Sequence, residues 1–150
     1  MTLTHHPRRA PRGAAAAIAA TLLLAALAGC SDDKETMASW AQKGGKDQTV
    51  TIAQDVKTVI QESEPSSRSA DHCRQVLADV KAARAYHPMP DQGTRTVWNE
   101  SLDRLDTAAT TCVHNAEAGT GGASLQEAIA AETSYRSFAD SYGRQVNAKP

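Results

Sequence analysis

The chain has 150 residues, and its 16 lysines and arginines nearly balance its 17 aspartates and glutamates, so the net charge is −1 with neutral histidines. This length suits one domain with a modest hydrophobic core. The basic residues are scattered among acidic ones and form no continuous basic stretch, which argues against nucleic acid as a partner.

The first thirty residues have the features of an export signal. Arg8, Arg9 and Arg12 precede an apolar run over residues 14–28, and the sequence Leu-Ala-Gly-Cys follows at Leu27–Cys30. The run is shorter than the roughly 20 residues that a membrane-spanning helix needs. The whole region resembles the signal peptide of bacterial lipoproteins, in which small residues precede a cysteine that becomes lipidated.

This resemblance implies that residues 1–29 are removed and that Cys30 carries the lipid as the mature N-terminus. It also implies a protein that is exported and membrane-anchored, at the cell surface or in the periplasm. Arg8 and Arg9 leave the export route open, since paired arginines also occur in twin-arginine signals. The residues after them lack the apolar continuation of that pattern, which favours general secretion.

Residues 30–46 are predicted to form a flexible tether, with charged residues at its start and two glycines at its end. Residues 37–41 have the composition of a short helical turn. Trp40 is unexpected in a flexible tether because it is large and aromatic. We expect it to pack against the domain, since exposed tryptophans are uncommon. A contact with membrane headgroups or with a partner is the alternative.

Four helical segments follow, at about residues 47–63, 69–86, 94–118 and 124–142, because apolar residues recur in each at three- and four-residue spacing. Clusters of proline or glycine separate them. The third segment is the most regular and carries a heptad seam. The seam consists of Trp98, Leu102, Leu105, Ala109, Cys112 and Ala116.

Local signals mark the ends of two segments. Ser69 is a predicted N-cap, and Asp71 lies in the first turn of the second segment, where the helix dipole favours negative charge. In the fourth segment, Ser124 and Glu127 have the spacing of a capping box. Gly143 is predicted to end that segment.

Short loops favour antiparallel neighbours, so the predicted fold is all-α, an up-down-up-down four-helix bundle over residues 47–146 with a disordered tail at 147–150. Folding the second and third segments together brings Cys73 level with Cys112. Each lies on an apolar stripe, and an exported protein favours oxidised thiols. The sequence therefore predicts a Cys73–Cys112 disulfide at one end and aromatic residues at the other.

No catalytic motif is found in the sequence, so we expect no enzymatic activity and no cofactor. One metal alternative remains: the same register places His72 and His114 near the two cysteines, and imidazole with thiolate suits zinc or copper. His87 and Met89 form a weaker copper-type pair in the proline-rich loop, although packing beside the aromatic end is the preferred interpretation.

These observations lead to two functional hypotheses. The first is a lipid-anchored, non-enzymatic binding or scaffolding protein, held to the membrane through Cys30 and facing an envelope protein or cell-wall component. The second is a metal-binding or metal-delivery lipoprotein that uses His72 and His114. The chain as a whole resembles small helical lipoproteins of high-GC bacteria.

Overall fold

The structure, a computed structural model, describes residues 35–64 and 69–148, and these residues form helices and no strand. The helices are α1 (Met37–Trp40), α2 (Lys46–Glu62), α3 (Ala70–Ala85), α4 (Gln92–Glu117) and α5 (Leu125–Val146). A wide π-helical turn, Ala41–Gly45, joins α1 to α2. The predicted signal peptide and Cys30 lie outside the described residues.

The four long helices form the predicted bundle, with neighbours in the chain packed side by side. Two contacts show that α2 and α5 run antiparallel. The hydroxyl of Tyr135 donates to the carbonyl of Thr49 at 3.0 Å, and at the other end of α2 the amide of Ala123 donates to the carbonyl of Glu62 at 2.9 Å. The all-α four-helix prediction is confirmed.

The core follows the apolar stripes of the helices. Its largest fully buried apolar side chains are Trp40, Ile52, Val59, Val76, Val80, Met89, Leu102, Leu105 and Phe138. Burying apolar area is the main driving force for packing such amphipathic helices. The heptad seam of the third segment therefore became the inner face of α4, because its members at four- and three-residue steps share one side of a helix.

The helix ends agree with the sequence in part. The Ser69 hydroxyl accepts from the amide of His72 at 3.3 Å, as an N-cap does. Asp91 caps α4 through the amide of Thr94 at 2.7 Å, so α4 begins before residue 94.

The predicted features of α5 are wrong in two places. Ser124 is the N-cap residue, but its side chain makes no capping hydrogen bond, so the capping box with Glu127 is absent. The helix also passes through Gly143 to Val146, because Gly143 keeps a negative φ and does not take the left-handed conformation that ends helices.

The tether prediction over residues 30–46 also needs correction. Residues 37–46 are helical, and Trp40 is only 2% exposed. The physical reason is apolar burial: Met37 and Trp40 are the two buried residues of α1 and belong to the main core. The predicted packing of Trp40 is confirmed, and its alternative role as an exposed membrane or partner contact is wrong.

Candidate functional site

The disulfide lies where the sequence predicted it. Cys73 in α3 and Cys112 in α4 are bonded, their Cα atoms are 6.1 Å apart, and both side chains are fully buried. They are 39 residues apart in the chain, so the bond joins α3 to α4 and closes a long covalent ring of the backbone. Both sulfurs are therefore unavailable as metal ligands in this state.

The two histidines of the metal alternative are engaged differently. His72 Nδ1 lies 2.7 Å from Glu62 Oε1, whereas His114 is exposed in the last turn of α4. Within residues 35–64 and 69–148, no three histidine, cysteine, aspartate or glutamate side chains are grouped as a metal ion requires. No observation in this region favours the metal hypothesis.

The aromatic end is a cluster of six rings: Trp40, Tyr86, Trp98, Tyr135, Phe138 and Tyr142. It fixes α1 against the loop between α3 and α4. The indole nitrogen of Trp40 donates to the carbonyl of His87 at 2.7 Å, and the hydroxyl of Tyr86 donates to the carbonyl of Lys43 at 2.7 Å. Buried tryptophans usually need such a polar partner, and this one is found within the chain.

Two glycines allow this close approach. A Cβ atom on Gly45 would lie 2.2 Å from the ring of Trp40, so only glycine fits beneath the indole. Gly44 has a φ of 114°, in the left-handed region that side chains disfavour. This pair, which had the appearance of linker residues, is therefore part of the packing.

A carboxylate at the start of the described chain supports the same contact. Glu35 pairs with Lys43 and with His87 Nε2, each at 2.7 Å. The hydrogen bond from Lys43 lowers the pKa of Glu35 most, followed by the one from His87. His87 is thus a surface partner of Glu35, while Met89 is 1% exposed in the core, so the two do not form the copper-type pair.

Beside the aromatic end is a cavity of about 180 Å³ with a mixed lining. Trp40 and Trp98 contribute ring surface, Arg84 and Arg95 contribute positive charge, and Asn99 contributes an amide. Arg84 pairs with Asp103 at 2.8 Å, and Arg95 donates to the carbonyl of Met89 at 3.3 Å. Aromatic faces with a few polar groups are typical of ligand pockets.

Two acids on α2 are buried, which the sequence did not predict. Asp55 and Glu62 are 7% and 5% exposed and lie on the side that faces α3. Glu62 accepts from the amide of Ser69 at 3.1 Å and contacts His72. The burial of Asp55 could have been predicted from its position in the sequence, because Asp55 falls between Ile52 and Val56 on the apolar stripe of α2.

Comparison of the chain with protein-family models, with curated proteins and with solved structures gives no match. None of the helices in the described part of the chain has the length and apolar content needed to cross a membrane. The signal region of the sequence and the geometry of the bundle are therefore the features from which a function can be inferred.

Proposed function

We propose that the protein is a lipid-anchored cell-envelope protein that binds a partner and does not catalyse a reaction. The observation that carries the proposal is the Leu27–Cys30 sequence after a basic and apolar leader. The absence of a catalytic motif in the sequence supports a binding role over a chemical one. The disulfide supports an oxidising compartment, where such bonds persist.

The position of α1 limits how far the bundle can move from such an anchor. Only residues 31–36 separate Cys30 from the helical start at Met37. Fully extended, this stretch reaches roughly 25 Å. The aromatic end of the bundle would therefore stay close to the headgroups, and a partner would be bound near the membrane surface.

The cavity beside the aromatic end is the preferred binding surface. It lies next to the helix that follows the anchor, and its accessible lining combines the ring of Tyr86 with Arg84, Arg95 and the amide of Asn99. Tyrosine and arginine are among the residues most enriched in the positions that carry binding energy at interfaces. The partner class that suits this lining is a protein or cell-wall component with polar and negatively charged groups.

The anchor is tested by expressing the wild type and Cys30→Ala with an alkyne-bearing fatty acid. We expect the wild type to incorporate the label, to begin at Cys30 and to fractionate with membranes, because two or more acyl chains give stable anchoring. The Cys30→Ala variant should lose the label and remain unprocessed or be released. An unlabelled, soluble wild-type protein would contradict the anchor.

The binding surface is tested by photo-crosslinking in cells. A photoreactive residue replaces Asn99, which is exposed at the cavity, or Thr110, which is exposed elsewhere on the same helix. We expect a discrete adduct from position 99 that is absent from position 110. Equal crosslinking at both positions would remove the cavity from the proposal while leaving the anchor intact.

A further inference from the structure

A second cavity, of about 200 Å³, lies between α2 and α3. It is separate from the aromatic end, and α4 and α5 do not contribute to its lining. The residues that line it are Asp55, Thr58, Gln61, His72, Gln75 and Val76. Five of the six are polar, which is unusual for the facing surfaces of two bundle helices.

Asp55 is the buried group in this cavity. Only 7% of the residue is exposed, and its Oδ2 atom has no hydrogen-bond partner among the described residues. An ionised carboxylate that is buried without a partner is costly. The carboxylate of Asp55 is therefore electrostatically incomplete, because no described residue donates a hydrogen bond to its buried oxygen.

The charged groups around Asp55 do not neutralise it. Asp79 lies nearby on α3, and Glu62 on α2 is occupied by Ser69 and His72. No lysine or arginine lines the cavity. Burial and, secondarily, the charge of Asp79 raise the pKa of Asp55 to about 7.

Two other polar side chains at the cavity, Thr58 and Gln75, keep free acceptor atoms. The amide nitrogen of Gln75 donates to both oxygens of Asp79, at 3.0 and 3.1 Å, which leaves the amide oxygen of Gln75 free to accept. The hydroxyl of Thr58 donates to the carbonyl of Gln54 at 3.2 Å, so its lone pairs remain for a ligand. A ligand that complements this site must supply donors and positive charge.

We infer that the cavity between α2 and α3 binds an organic cation that carries N–H donors, an ammonium or guanidinium group. The carboxylate of Asp55 receives the charge-assisted hydrogen bond, and Thr58 and Gln75 accept the remaining ones. The source is a free amine or a lysine or arginine side chain of a partner. The inference does not depend on lipidation of Cys30 or on the cavity at the aromatic end.

The test uses the full chain in non-ionic detergent at pH 8, with amide NMR shifts of Thr58 and Gln75 as the readout. The probes are n-butylammonium, ethylguanidinium and, as a matched control without N–H groups, tetramethylammonium. We expect saturable shifts with the first two and little response to the third. An Nα-acetyl-lysine methylamide that binds more tightly than n-butylammonium assigns the source to a protein side chain, and the reverse order assigns it to a free amine.

Two variants separate ligand binding from folding. Asp55→Asn keeps the size of the side chain and should weaken n-butylammonium binding by about tenfold or more, the loss that matches one charge-assisted hydrogen bond. Gln75→Leu changes an exposed side chain, leaves the carboxylate in place and should also weaken binding. Asp140→Asn, an exposed change on α5, should leave binding unchanged.

Three outcomes overturn the inference. The first is an absence of saturable shifts with either N–H cation. The second is equal binding of tetramethylammonium, which would mean that charge alone is sensed. The third is tighter binding of calcium chloride than of both organic cations, which would assign the site to a metal ion.

Discussion

The buried carboxylate of Asp55 makes the stability of the protein depend on pH in a defined direction. Its pKa is raised from the ordinary 3.8 to about 7 by burial and then by Asp79. Below pH 3.8 the group is protonated in both folded and unfolded chains. Between pH 4 and 7 the folded chain keeps a proton that the unfolded chain has lost, so the free energy of unfolding falls as pH rises. Above pH 7 this contribution is constant.

The magnitude follows from the size of the shift. About three pH units correspond to roughly 4 kcal/mol at 1.36 kcal/mol per unit. Solvent reaches the carboxylate through the cavity and screens it, so we expect about 2–4 kcal/mol. The effect is destabilising at neutral pH and is a large share of the stability of a small domain.

The assay is urea unfolding of the wild type and Asp55→Asn at intervals from pH 4 to pH 8. We expect the stability of the variant relative to the wild type to increase by about 2–4 kcal/mol over this range. Asp140→Asn is the control, because it shows how much an exposed carboxylate contributes to the pH dependence of the stability. A stability difference between Asp55→Asn and wild type that stays constant from pH 4 to pH 8 would refute the reasoning.

The remaining predictions concern the disulfide and two glycines. Replacing Cys73 and Cys112 together by alanine should lower the stability by about 4 kcal/mol, because the bond closes a loop of 39 residues, and should lower the melting temperature by on the order of 10–20 °C while helical circular dichroism is retained. An unchanged melting temperature, or two free thiols by intact mass without reductant, would contradict this. Gly45→Ala should destabilise by about 1–3 kcal/mol in urea unfolding, because its Cβ would overlap the ring of Trp40. Gly143→Ala, which meets nothing within 4 Å inside a helix, should stabilise by about 0.5–1 kcal/mol, and equal effects of the two changes would contradict the packing argument.

The regular parts of the fold were predictable because apolar residues that recur at three- and four-residue spacing lie on one face of a helix. The seam from Trp98 to Cys112 required only that apolar positions share one side of a helix, and antiparallel packing then placed Cys73 opposite Cys112. The register was less accurate at the aromatic end. Folding the third and fourth segments about residue 120 predicts Trp98 level with Tyr142, whereas the ring centroid of Trp98 is 4.5 Å from that of Phe138, one turn away.

The two errors of site prediction have a common cause. Gly44 and Gly45 suggest flexibility by composition, but at this position they provide room for Trp40, and the ring that needs the room lies in the preceding turn. Asp55 and Glu62 suggest a solvated helix face, but α3 packs over them. In each case the structural role of the residue depends on a tertiary contact, and local composition does not reveal that contact.

The Cys73–Cys112 disulfide also determines how the domain would respond to force. Tension applied through the N-terminal side reaches α1 and α2 first, and residues between Cys73 and Cys112 cannot extend while the bond is intact. The 39 Cα-to-Cα steps from Cys73 to Cys112 represent roughly 130–140 Å of contour length that stays hidden. In an optical trap, the fully stretched chain should therefore be shorter by about this length without reductant than with it. Under oxidising conditions, a pull on the N-terminal side could thus unravel α1 and α2 while the covalent loop through α3 and α4 stayed closed.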